Sequence, residues 1–166
     1  MRAAALLVGG VLLQVGTAPA PARVPAECPR VSLTYAGGLG FEGRSGLVFA
    51  VWDSGTIIRA ARVDSPDAHV IGVVPAREAA ALVEAVKNSR FWDGESLIAL
   101  DTGEYTLQLL RPGDRLGRSE TPGERLSPAL EDIRRRAFSL ALAGARPIAV
   151  PIDERWTCPA TIWRDE

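Results

Sequence analysis

His69 is the one imidazole in the chain, so any serine or cysteine hydrolase chemistry run through a histidine base would have to pass through it. It heads the apolar run His69 to Val74, and no serine or cysteine in a recognisable nucleophile setting lies beside it. Gly43-Arg44-Ser45-Gly46 is one spacer short of the strained Gly-x-Ser-x-Gly elbow, and no helix follows it. Two acid pairs, Asp64 with Asp67 and Asp101 with Glu104, have the composition of a general acid and base. Both fall in turns, where Asp is common because its carboxylate accepts from nearby backbone amides. The spacings that zinc or calcium loops need are absent, and one His, two Cys and one Lys leave little with which to hold a metal. The residues therefore point to no catalytic set and to no cofactor.

Two segments could bind rather than react. Gly37-Gly38-Leu39-Gly40-Phe41-Glu42-Gly43 is a glycine-rich loop carrying an aromatic. Gly37, Gly38, Gly40 and Gly43 let the backbone approach a partner closely, and Phe41 could anchor it, or could fold back onto the core of a wide hairpin connection. A nucleotide is a poor occupant, because a strand follows the loop and not a helix whose amino end would hold phosphate. Arg134-Arg135-Arg136 is the other segment. On a helix one of these guanidinium groups lies at the core edge with its stem packed and the others are solvated, unless an acidic partner covers them.

Composition narrows the classes further. The chain has 166 residues, 47% hydrophobic and 23% charged, which suits one globular domain. Lys and Arg number 19 against 20 Asp and Glu, so no basic excess exists to neutralise a phosphate backbone, and nucleic acid is not expected as a partner.

Residues 1–22 have the pattern of an export signal: Arg2, then an apolar run from Ala3 to Val15, then small residues at Thr17, Ala18, Ala20 and Ala22. Cleavage after Ala22 avoids a proline at the new amino terminus, and the mature chain would begin near Arg23, in the periplasm or outside the cell. The run is shorter than the roughly 20 residues that span a bilayer, so no membrane span is expected. Glu27 directly before Cys28 does not suit a lipidation box. Cys28 and Cys158 flank nearly the whole mature chain, and in an oxidising compartment they are expected to form a disulfide; the alternative is two unrelated thiols in separate ends. Closing a loop of that size stabilises a fold by about 4 to 5 kcal/mol in the chain-entropy picture.

The elements that must position these residues follow from hydrophobic period and turn chemistry. Strands are expected at Val31 to Tyr35, Leu47 to Trp52, Thr56 to Val63, His69 to Val74 and Tyr105 to Arg111, with Arg115 to Ser119 as a hairpin partner of the last. Asp53-Ser54-Gly55 predicts a tight hairpin with a positive φ at Gly55, and Asp64 to Asp67, with Pro66, predicts a turn. A helix is expected from Pro75 to Asn88 or Ser89, burying Ala79, Leu82, Val83 and Val86. A second starts at Ser127-Pro128, buries Leu130, Ile133, Ala137 and Leu140, and stops at Gly144. The predicted class is α+β: an antiparallel sheet of about five or six strands with two helices packed on one face. The chain divides into a signal (1–22), a tail (23–30), one α+β domain (31–145) and an extended C-terminal tail (146–166), pinned on the body by Trp156, Cys158 and Trp163.

This order of elements resembles the emfourins, small bacterial inhibitors of thermolysin-type metalloproteases. The likeness is carried by the strand running into Tyr35-Ala36-Gly37-Gly38-Leu39-Gly40-Phe41-Glu42-Gly43 and by the helix Glu78 to Val86 running into Phe91-Trp92. Asp101 leading into Tyr105-Thr106-Leu107-Gln108-Leu109 and Pro128 with Leu130 opening the last helix complete it. It covers roughly residues 31–142; the export signal, an extra Leu-Gly step before the loop Phe, the hairpin through Asp53-Ser54-Gly55 and the cysteine-bearing tail depart from the pattern. The resemblance implies α+β folding and protease binding through exposed loops. The expected function is that of an exported, non-catalytic domain that binds a macromolecule. A metalloprotease inhibitor, an assembly protein of the envelope and an enzyme with a site not visible in the sequence are the alternatives.

Overall fold

The computed structural model describes residues 23–37, 45–62, 65–94, 103–121 and 126–148. Seven strands form one antiparallel sheet: β1 (Val31–Ala36), β2 (Ser45–Val51), β3 (Thr56–Arg62), β4 (Ser65–Val73), β5 (Glu104–Arg111), β6 (Asp114–Glu120) and β7 (Ala143–Ile148), ordered β6-β5-β1-β2-β3-β4-β7. Two helices accompany it, α1 (Ala76–Lys87) and α2 (Pro128–Ser139), with a 3₁₀ turn at Arg90–Asp93. The α+β class is as expected, and the sheet is wider than the five or six strands read from sequence.

The hairpins follow their turn residues. Gly55 adopts φ +87, and a Cβ there would collide with the Val74 carbonyl, so the β2–β3 connection requires glycine. Its backbone is fastened on both sides, by Gly55 N–H to the Trp52 carbonyl (3.0 Å) and by Val74 N–H to the Gly55 carbonyl (2.9 Å). Pro112-Gly113, with Gly113 at φ +72, closes β5 onto β6. The expected turn at Asp64 to Asp67 is displaced: β4 already begins at Ser65, which pairs with Arg62, and Pro66 belongs to the strand, while Asp64 lies outside the described residues. The expected stop at Gly144 is also displaced. α2 ends at Ser139, and Gly144, at φ +61, lies inside β7.

Strand alternation gives the sheet two faces, and both are dry. On the first, Val31, Leu33, Phe49, Val51, Ile57, Leu107 and Leu109 pack beneath α1 and α2. α1 buries Ala79, Leu82, Val83 and Val86, as its spacing requires, and α2 buries Leu130, Ile133 and Ala137, while Leu140 is its half-buried C-cap. The second face holds Leu47, Ala50, Trp52, Ile58 and Ile71.

One side chain ties the first face together. Arg59, on β3, donates from Nη1 to the carbonyls of Ala137 (3.0 Å), Phe138 (2.6 Å) and Leu140 (3.2 Å), with its guanidinium 5.4 Å from the centre of the Phe138 ring. These are the carbonyls left over at the end of α2, where the helix dipole also favours a cation. Burial pulls the Arg59 pKa below its ordinary value, but a guanidinium remains ionised at neutral pH. Arg59→Ala is expected to lower unfolding stability by about 2 to 3 kcal/mol, since charge-assisted bonds are lost and buried carbonyls are orphaned. Urea unfolding should show a lower midpoint at unchanged slope, with Arg59→Lys falling between the two.

Candidate functional site

Chemistry that looked available in the sequence is spent on structure where the chain is described. His69 lies in β4 on the second face, opposite Ala60 and Ile148, and is 6% exposed. Its Nε2 is 2.6 Å from the Leu47 carbonyl, an acceptor only, so Nε2 carries the proton and donates. The ladder between β2 and β3 runs from Phe49 to Val51, and the imidazole supplies a donor to β2 just beyond it. Asp64, Asp101 and the loop residues Gly38, Gly40, Phe41 and Gly43 lie outside the described residues, as does Cys158. Gly37, at the end of β1, is the one described residue of that loop. Among the described residues no group of three His, Cys, Asp or Glu could hold a metal ion, and no helix is long and apolar enough to cross a membrane.

A groove of about 710 Å³ lies elsewhere, on the helix side of the sheet edge. It is lined by Arg90 and Phe91 from the 3₁₀ turn, Arg118 and Glu120 from β6, and Asp132 and Arg136 from α2. Local chemistry builds each wall. Ser89 accepts from the Phe91 N–H (3.1 Å) and starts the 3₁₀ turn, and the Trp92 indole N–H donates to the Val86 carbonyl (2.6 Å), satisfying the end of α1. Phe91 is thereby fixed with its ring edge-on to Trp92, 5.4 Å between centroids.

Arg118 lies over the Phe91 ring, 4.7 Å from guanidinium carbon to centroid. Gly94 makes room for it, since a Cβ there would strike the guanidinium nitrogens. The α2 side is capped twice. Ser127 Oγ accepts from Leu130 N–H (3.3 Å), and the Glu120 carboxylate accepts from Ser127 N–H (2.6 Å), the task a Glu inside the helix performs in a capping box. Ser127, Pro128 and Ala129, at the positive end of the α2 dipole, complete the rim.

The arginine triplet divides as its helical position requires. The Arg134 side chain is 20% exposed and pairs with Glu131 (2.6 Å), whereas Arg135 is 74% exposed and pairs with Asp132 (2.5 Å). Arg136 reaches the other Asp132 oxygen (2.7 Å) and the groove. Sequence spacing does not reveal the groove, because its walls come from segments up to 51 positions apart, Ala85 to Arg136, brought together by tertiary packing. The Ser127-Pro128 start of α2 was the part of it legible in the sequence.

No family model, no curated protein and no solved structure matches the chain. The class of the protein is therefore defined by its own architecture, a seven-stranded antiparallel α+β domain with a mixed-charge groove at one edge.

The hydrogen bonds from Arg136, and then from Arg135, hold the Asp132 carboxyl below its ordinary pKa. A depressed folded-state pKa makes a contribution to stability that is complete above the unfolded value and is lost as pH falls through the folded one. The start of α2 is therefore expected to loosen below about pH 4, the range in which aspartate protonates. Carboxyl carbon NMR should give Asp132 a midpoint below that of a peptide aspartate. The midpoint should rise more in Arg136→Ala than in Arg135→Ala.

Proposed function

We propose that the chain is an exported, non-catalytic binding domain that takes an acidic segment of a protein partner into the groove between the 3₁₀ turn, β6 and the start of α2. The observation that carries this reading is the convergence of Arg90, Arg118 and Arg136 with the Phe91 ring around a cavity of about 710 Å³. Among the described lining residues, three guanidinium groups outnumber the carboxylates of Glu120 and Asp132, and the rim of α2 adds the positive end of its dipole. Arginine over an aromatic is a pairing that recurs at the energetic centres of protein interfaces. The volume suits one or two side chains of a partner. The signal-like pattern of residues 1–22 supports export.

The test is an NMR titration of the mature, labelled chain with matched acidic and basic peptides. Acidic peptides are expected to shift the resonances of Arg90, Phe91 and Ala129, and basic ones to leave them in place. Arg90→Glu, a change at an exposed position, should weaken the acidic series by about tenfold, or about 1.4 kcal/mol. Equal response to both series would overturn the reading.

A second reading, inhibition of a metalloprotease through residues 37–43, has one observation in its favour. Tyr35, at the end of β1, stacks at a tilt on Tyr105 with 4.8 Å between ring centroids, and this fixes the strand from which the loop departs. A rigid base lowers the entropy an inhibitory loop loses on binding. Assay of the mature chain against thermolysin-type proteases should then show inhibition that Phe41→Ala weakens, and full potency in that variant would exclude the loop as the contact.

A further inference from the structure

The three guanidinium groups of the groove are not equally open to an acid. Arg90, in the 3₁₀ turn, is exposed and makes no ion pair with a described carboxylate. Arg118 is fixed between the Phe91 ring, 4.7 Å from its guanidinium carbon, and the space beside Gly94 that a Cβ would fill. Arg136 is already engaged. Its Nε donates to one Asp132 oxygen (2.7 Å), while Nη2 of Arg135 donates to the other (2.5 Å). The two arginines that share this carboxylate differ in place: Arg136 lines the groove, and Arg135, 74% exposed, lies outside it on the outer surface of α2.

Helical spacing makes this arrangement. Asp132 precedes Arg135 by three residues and Arg136 by four, so both guanidinium groups reach it from the next turn. Of the two bonds, the one from Arg136 does more to hold the carboxyl below its ordinary pKa. All three side chains are open to water, and exposed ion pairs of this kind contribute little to stability, so either bond can be given up at small cost. The other carboxylate of the groove, Glu120, is committed to the Ser127 N–H at the start of α2. Asp132 is therefore the acid of this chain that an incoming acid meets at Arg136.

We propose, building on the groove as the seat of an acidic segment, that Asp132 is its specificity-determining residue and makes it select an isolated acidic side chain over a run of acids. A first acid meets Arg90 without a competitor. A second reaches Arg136 only by exchange: the partner's carboxylate accepts from Arg136 Nε–H, and Asp132 withdraws to the bond it keeps with Arg135. One ion pair is made for one broken, and the like charge of Asp132 opposes the newcomer. The second acid therefore adds little affinity while Asp132 is in place, which is selection by a built-in competitor. Arg135 has a role here although it lies outside the groove, because it keeps Asp132 paired when Arg136 is taken.

The test compares two peptides that differ by one Gln-to-Glu change, one with a single acid and one with two in succession, titrated into the mature chain and its variants. The second acid should improve Kd by less than about twofold in the unchanged chain and by about fivefold in Asp132→Asn. Asp132→Ala, which removes the competing oxygens altogether, should give the same gain. In the double variant Asp132→Asn with Arg136→Gln the gain should disappear. An equal gain in the unchanged chain and in Asp132→Asn would overturn the proposal, since removal of a charge acting through space tightens both peptides alike. Persistence of the gain without Arg136 would overturn it too, by placing the second acid elsewhere. Failure of both peptides to shift Arg90, Phe91 and Ala129 in every variant is a separate result, which overturns the groove as an acid site and the exchange with it.

Discussion

Burial of the central strands on both faces is the constraint from which the rest of the architecture follows. Antiparallel sheets ordinarily keep one face wet and read as apolar and polar residues in alternation. Here β2 and β3 do not alternate: Leu47 to Val51 and Thr56 to Ile58 are buried without a break. Such strands need a cover on each side. On one side it is supplied by α1 and α2, whose apolar stripes are narrow and whose outer surfaces are charged. The two described helices are both committed to the first face, so neither covers the second.

Arg59 shows how closely the first cover is coupled to the sheet. A cation in the middle of a strand would ordinarily be aimed at water, but this one points toward α2 and takes up the carbonyls released where the helix ends. The bond network sets where α2 stops, and hence where the chain turns into β7. Packing alone would leave the helix free to slide along its apolar stripe; three directional bonds to one guanidinium remove that freedom.

Much of the fold was legible because its signals are local. The α1 stripe of Ala79, Leu82, Val83 and Val86, the cap and first-turn pair Ser127-Pro128, and the positive φ at Gly55 each follow from residues within one turn of each other. β7 was not legible for an equally physical reason. It is an edge strand exposed along most of its length, containing Gly144 and Pro147, so it has neither apolar alternation nor β-branched residues before Ile148. The start of β4 hid behind Pro66 and Asp67, residues that signal a turn until a neighbouring strand imposes pairing. The groove was hidden for a third reason, since it depends on Arg118 meeting Phe91 and on Glu120 meeting Ser127 across connections whose geometry no period encodes.

Among the described residues, several side chains with reactive potential are bonded into the fold. His69 donates to a carbonyl beside its own sheet, Ser89 and Ser127 each accept from a backbone amide at the start of a helical segment, and Asp132 is held between two arginines one turn away. A general base needs a lone pair facing a substrate, and a nucleophile needs a base within reach; the bonds just named turn these groups toward the fold. Cationic surface is exposed along the groove at Arg90 and Arg136, with the Phe91 ring buried beneath Arg118. That contrast between polar atoms turned inward and cationic surface turned outward is the physical basis for reading this domain as a binder.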